Sequence, residues 1–297
     1  MHGRALLGIT AIALLPLCGC SDDTLIAEPE RPTHPAANSA FDAADTGAIT
    51  GRVVWEGPVP DVPPIVTISS PDGNLAADGK LLSREPNPFA PRIEAATRGV
   101  GGAVVFLREI DPSRAKPWDH EAVRVEIVQR QIRVLQPAGL AVSPRVGFVR
   151  RGDAIEVVNR DARHHSLRAR GAAFFGLPLV ETDKVSRRTL DKPGLVTLSS
   201  GAGYPWMHAH LFVVDHPYYT RTDREGHFRL EQVPPGNYEV VCWMPSWKVE
   251  RKGRDPESFQ VARIAFAPPM EHAVSINVRR ADTVDLRFVW DTDGVRR

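Results

Sequence analysis

Val123-Arg124-Val125-Glu126-Ile127-Val128 alternates apolar and charged residues, the period of a strand with one face in a core and the other in water. The same reading extends downstream. Arg145-Val146-Gly147-Phe148-Val149, the turn Arg151-Gly152-Asp153 and Ala154-Ile155-Glu156-Val157-Val158 read as a hairpin. Leu195-Val196-Thr197-Leu198 and His210-Leu211-Phe212-Val213-Val214 add two more strands. Upstream, Ala48 to Trp55 reads as a strand that Gly57-Pro58-Val59-Pro60 ends. Residues 58–91 read as loops with one short strand at Ile65 to Ser69, and Ala103 to Leu107 as a buried strand. Further on come Gly226 to Leu230, the turn Val233-Pro234-Pro235-Gly236, and Tyr238 to Trp243 returning on a partner strand. Ser275 to Val278 and Val284 to Phe288 close the chain as another hairpin. Many short strands at close spacing predict an all-β protein of β-sandwiches, with little helix.

Composition agrees. The 297 residues suffice for about two domains at ~150 residues each. Apolar residues make up 42% and charged residues 25%, a globular balance, and the 26 prolines and 23 glycines favour punctuated strands over long helices. Lys and Arg number 37 against 36 Asp and Glu, so no basic excess is available for a nucleic-acid backbone. No stretch past residue 20 is apolar for the ~20 residues that a spanning helix needs.

The start of the chain reads as an address. Arg4 precedes an uncharged, mostly apolar run from Ala5 to Leu17, too short to span a bilayer as a helix. Leu17-Cys18-Gly19-Cys20, followed by Ser21-Asp22-Asp23, resembles the lipobox of bacterial lipoproteins. The resemblance implies a signal peptide over 1–19 and a lipid on Cys20 that anchors the chain in the cell envelope. Ser21 after the cysteine implies the outer membrane under the sorting rule of that family. Loss of Arg4 and Cys18 with the leader would leave basic and acidic residues equal in number and Cys242 as the free thiol, so no intrachain disulfide is expected. Residues 20–46, rich in Pro, Ala, Asp and Glu, read as a flexible tether.

Two constellations carry the functional question. In the first, Arg151 to Asp161 with His165 and Ser166 resembles the strand and loop before the first copper ligand of cupredoxins, where an Asn-x-Asp loop precedes a ligand histidine. The family's second ligand loop reads Cys-x-x-His-Pro-Trp-Met in periplasmic members. Here Gly201-Ala202-Gly203-Tyr204-Pro205-Trp206-Met207 keeps Pro205, Trp206 and Met207, with Gly201 where the thiolate belongs and Tyr204 where the imidazole belongs. A blue-copper site needs two histidines and a thiolate. The resemblance therefore implies the cupredoxin fold with a degenerate site and no cofactor. The alternative is a copper- or zinc-handling site that combines His165 and Met207 with His208 and His210, which share one face of a strand if the segment is extended. Cys242, among Val240, Val241, Trp243 and Met244, reads as a buried, inert thiol.

In the second, Val213 to Val240 resembles the carboxypeptidase regulatory-like domain, a small non-catalytic sandwich. Thr222-Asp223-Arg224-Glu225-Gly226 reads as its turn, with Asp223 capping and Gly226 taking positive φ. Just beyond, Trp243 and Trp247 are candidates for stacking on sugar rings. No Gly-x-Ser-x-Gly elbow, His-Glu-x-x-His helix or phosphate-cradling glycine loop occurs, so no enzymatic activity is expected.

The sequence thus predicts an all-β chain of two packed sandwiches, one a cupredoxin-like Greek key and one carboxypeptidase regulatory-like or Ig-like. The expected boundaries are 47–122 for an N-terminal β segment, 123–209 for the cupredoxin-like module, 210–290 for the second sandwich and 291–297 for a tail. The expected function is a non-catalytic binding or scaffolding module, held to the membrane by its lipid, with an envelope protein or a glycan as partner. A copper or electron-transfer protein and a carbohydrate-binding module are the alternatives.

Overall fold

The computed structural model describes residues 40–68, 82–108, 110–136, 145–257, 261–292 and 294–295. The expected signal peptide, Cys20 and most of the expected tether lie outside them. The fold is all-β. Among the described residues the one helical element is a single 3-10 turn, Pro112–Arg114, capped by the Asp111 carboxylate.

Two sheets make the first sandwich. One runs Val185–Thr189, Ala154–Asn159, Arg124–Val128 and Gln131–Leu135; the other runs Phe175–Leu179, His165–Gly171, Gly194–Ser200, His208–Val214 and Val146–Arg150. The strand Arg124–Val128 buries Val125 and Ile127 and turns its charged residues outward, as alternation requires. Facing them across the core are Leu167, Val196, Leu198, Ala209 and Leu211 from the second sheet.

The second sandwich is built from both sides of the first. Gly47–Trp55 lies between His227–Val233, antiparallel, and Thr283–Asp291, parallel. Val104–Arg108 lies between Tyr219–Arg221 and Gly236–Met244, which pairs in turn with Met270–Val278. The N-terminal β segment thus shares the sheets and core of the C-terminal module, and the first sandwich is an insertion in it. The boundary expected between 209 and 210 falls inside the strand His208–Val214.

A third apolar cluster joins the two sandwiches. Val104, Phe106, Val241 and Trp243 from one sheet meet Val146, Phe148, Phe212 and Val214 from another. His208–Val214 is consequently buried at all seven positions, its odd residues in the inserted core and its even residues beneath neighbouring elements.

Three expected hairpins are corrected. Val146–Arg150 and Ala154–Asn159 do not pair; they lie in opposite sheets, and Arg151-Gly152-Asp153 crosses from one to the other. The same holds for His227–Val233 with Gly236–Met244, and for Met270–Val278 with Thr283–Asp291. Each short turn is an arch over the core: the two strands face each other through their side chains, not through their backbones. The expected chemistry of the Asp223–Gly226 turn is present. Asp223 Oδ1 accepts the N–H groups of Glu225 and His227, both at 2.9 Å, and Gly226 takes φ +86°.

Candidate functional site

Asn159 and Asp161 build the loop before His165. Asn159 accepts the Asp161 N–H at 3.0 Å and donates to the Arg163 carbonyl at 2.8 Å. The Asp161 carboxylate accepts the N–H groups of Gln129 and Arg130 at 2.6 and 2.9 Å. These two residues form a two-residue hairpin turn at φ 51° and 56°, a conformation that L side chains disfavour. Asp161 therefore clamps a strained turn, and its Oδ2 also holds His165 Nε2 at 2.9 Å. The loop that resembles a copper-ligand loop has a structural task here.

The His165 side chain is fully buried. It lies 5.2 Å, ring to ring, from Tyr204, which meets Trp206 edge-on. Trp206 donates to the Arg130 carbonyl at 2.9 Å. Met207 packs in the same core with no exposure. His165 Nδ1 has no hydrogen-bond partner. Gly201, at the position where the family's thiolate belongs, faces away from His165. A Cβ on Gly201 would meet Ser166 Oγ at 2.7 Å and Arg168 Nε at 3.0 Å, side chains on the outward face, away from His165.

His208 and His210 do share a face, as extended spacing requires, but it is the opposite one. Residues 165, 167 and 169 point into the sandwich, as do 207, 209 and 211. His208 and His210 point out of it. His210 stacks on Phe89 at 4.9 Å and meets the edge of Trp243 at 5.3 Å; His208 meets Phe266 edge-on at 5.1 Å. The proposed ligand set of His165, Met207, His208 and His210 is thereby divided by the sheet itself. Among the described residues no three His, Cys, Asp or Glu side chains come together to hold a metal ion.

Burial holds both outward imidazoles neutral. It pulls the pKa of His208 down to about 4, with help from Arg145, and that of His210 to about 3, with help from His208. Neither Nδ1 has a hydrogen-bond partner.

The rings lie at the bottom of a cavity of about 730 Å³. Its roof is the hairpin of Val249–Arg254 and Val261–Phe266, which among the described residues pair with each other and with no other strand. Arg168 and Arg170 line it from the sheet; Arg251 and Arg263 line it from the hairpin. No ion pair or side-chain hydrogen bond engages any of these four guanidinium groups among the described residues. Thr197, Ser199 and Ser200 add hydroxyl groups, and Glu250 is the one carboxylate in the lining. Sequence reading missed this site because its two halves lie some eighty residues apart. The usable signal was local: Leu167-Arg168-Ala169-Arg170 puts two arginines on the face opposite the core.

The tryptophans are corrected as stacking platforms. Trp243 is 1% exposed and Trp247 7% exposed. Phe212 and His210 cover the first and Trp55 the second, so neither offers a ring face to a sugar. Cys242 is buried in the second core, where Trp290 Nε1 donates to its sulfur at 3.3 Å and burial pushes the thiol pKa up to about 12.

No protein-family model matches the chain, and no curated protein matches it in sequence. Solved structures similar to part of it include a copper-containing nitrite reductase from Thermus scotoductus, at 17% identity and TM-score 0.26, over 43% of this chain and 26% of that one. This chain therefore matches about a quarter of the reductase's length. A purple cupredoxin from Nitrosopumilus maritimus matches at 16% identity and TM-score 0.25, over 32% of this chain and all of that one. An amicyanin variant matches at 17% identity and TM-score 0.25, over 37% of this chain and 98% of that one.

Proposed function

We propose that the protein is a non-catalytic binding module whose ligand is a small polyanion held in the cavity beneath the paired strands Val249–Arg254 and Val261–Phe266. The observation that carries this reading is the set of four arginines that line one cavity, with guanidinium groups that have no ion pair or side-chain hydrogen bond among the described residues, against a single acidic residue in the described lining. Such a wall attracts anions and repels metal cations. The cavity volume falls within the range of small-molecule sites. Arg170, Arg251 and Arg263 are exposed, so each ion pair contributes roughly 0.2–1 kcal/mol. A useful affinity therefore needs a ligand with several acidic groups.

In this reading the cupredoxin-like sandwich serves as a frame, with a packed His165–Tyr204–Met207 core in place of a copper centre. The Cys20 lipid holds the module in the cell envelope, where the ligand or a partner protein meets it. Calorimetry with citrate tests the proposal. The purified protein should bind one equivalent, Arg168→Glu and Arg263→Glu should each weaken binding at least fivefold, and raised salt should weaken it further. Citrate affinity that both charge reversals leave intact would refute the cavity as the site.

The copper alternative has one observation in its favour: the unpartnered Nδ1 of His165, whose ring lies against Tyr204 of the buried cluster that holds Met207. Stoichiometric copper that survives dialysis, and is lost in His165→Ala, would replace the anion reading.

A further inference from the structure

We infer that the protein has a second binding site, a cavity at the seam of the two sandwiches that takes an uncharged aromatic molecule by a carbonyl oxygen held by Tyr219 and His216. None of the polar groups of the arginine-lined cavity takes part, and the inference does not depend on the anion reading.

The cavity measures about 400 Å³, within the range of small-molecule sites. Phe106 and Tyr219 line it from the second sandwich, Leu195 and Phe212 from the inserted one. Phe106 and Tyr219 stack at 4.8 Å, and Phe212 lies 5.6 Å from Tyr219, ring to ring. Such a wall suits a flat apolar body.

Two polar atoms in this wall lack a partner. The Tyr218 N–H donates to His216 Nδ1 at 3.3 Å. Burial holds the His216 ring neutral, with its pKa pulled down to about 4. A neutral imidazole that accepts at Nδ1 carries its proton on Nε2, which is therefore a donor. Neither that N–H nor the Tyr219 hydroxyl has a hydrogen-bond partner among the described residues. Both atoms keep accessible surface: the sealed, unpartnered side-chain atoms among the described residues belong to His165, His208, His210 and His272. A ligand in the cavity thus reaches both, and one that offered them no acceptor would strip their water without return.

Charge narrows the choice. The acidic groups of the wall are Asp215 and Glu271, already bound to Arg151 at 2.7 Å and to Arg108 at 2.5 Å. No lysine or arginine lines the cavity among the described residues, so an anion finds no partner there. An ammonium group has no lone pair for the Nε2–H. A carbonyl oxygen accepts from both donors and carries no net charge.

Equilibrium dialysis of the purified protein against 2-acetylnaphthalene, 2-isopropylnaphthalene, 2-naphthoate and 2-naphthylmethylammonium tests the site. The ketone should bind at least roughly fivefold tighter than the hydrocarbon of the same shape, because two neutral hydrogen bonds separate them, and tighter than either ion. Tyr219→Phe removes a hydroxyl that has no partner in the protein, so the fold stays intact. It should weaken the ketone at least roughly threefold and leave the hydrocarbon unchanged. Arg168→Glu, in the other cavity, should leave ketone affinity unchanged. Equal binding of ketone and hydrocarbon, or a preference that survives Tyr219→Phe, would overturn the inference. So would either ion binding as tightly as the ketone, or no binding of the ketone at all. Citrate affinity, read separately, decides the anion reading.

Discussion

His165 and His210 project from opposite faces of one five-stranded sheet, His165 into the core of the inserted sandwich and His210 into the cavity beneath the hairpin. The backbone between them separates two environments with opposite needs. His165 is held by a carboxylate that is itself committed to two backbone N–H groups. His210 has aromatic neighbours and shares its cavity with four arginines and Glu250.

The first consequence concerns metal. No ion can bridge the two faces, so the protein should retain well below one equivalent of copper after dialysis and show no intense thiolate absorption. His208→Ala and His165→Ala should each leave the metal content unchanged. Elemental analysis of the three proteins decides this, and one firmly held copper in the wild type would contradict it.

The second concerns acid. His208, His210 and His216 are held neutral by burial, at about 4, about 3 and about 4 against an ordinary 6.5. Below pH 6.5 the unfolded chain takes up protons that the native protein refuses until pH 4 or lower. The unfolded state binds more protons across that window, so stability is full above pH 6.5 and falls as pH drops toward 4, by up to about 1.4 kcal/mol per pH unit for each histidine. Urea melts at pH 7.5, 5.5 and 4.5 measure the slope. His210→Phe should flatten it, and a stability independent of pH across this range would count against buried neutral imidazoles.

The third concerns two glycines with similar backbones and different surroundings. Gly57 and Gly226 adopt φ +75° and +86°. An added Cβ meets nothing within 4 Å at Gly57, whereas at Gly226 it would sit 2.1 Å from the Val53 carbonyl oxygen. Gly57→Ala should therefore cost about 1 kcal/mol, the left-handed penalty alone. Gly226→Ala should cost at least ~2 kcal/mol more, because it also separates two paired segments of the second sandwich. Equal losses in chemical denaturation would show that the close approach at Gly226 is absent.

The fourth concerns the thiol. Cys242 is wholly buried, and Trp290 donates to its sulfur. Its reaction with a thiol reagent at pH 8 should proceed only as fast as the protein opens, and reach completion in denaturant. Rapid labelling of the native protein would refute the burial.

Much of the strand inventory was legible because alternation reports which face of a strand is apolar. Arg124–Val128 and His227–Val233 lie close to where the pattern puts them. Pairing was not legible. Val149 and Ile155 both point inward around a short turn, a pattern that a hairpin and an arch between sheets share. Only the partners distinguish the two, and those lie far away in sequence: His208–Val214 for one strand, Arg124–Val128 for the other. The candidate site divides the same way. The shared face of His208 and His210 follows from their spacing. Their separation from His165 depends on which strand face His165 takes, and the arginines of the roof come from a hairpin whose position over the sheet no local pattern encodes.

A crystal structure of the citrate complex tests the central claim most directly. The anion-site account predicts citrate beneath the hairpin, with carboxylates on Arg168 and Arg263. Citrate bound elsewhere on the surface, with this cavity filled only by water, would contradict it.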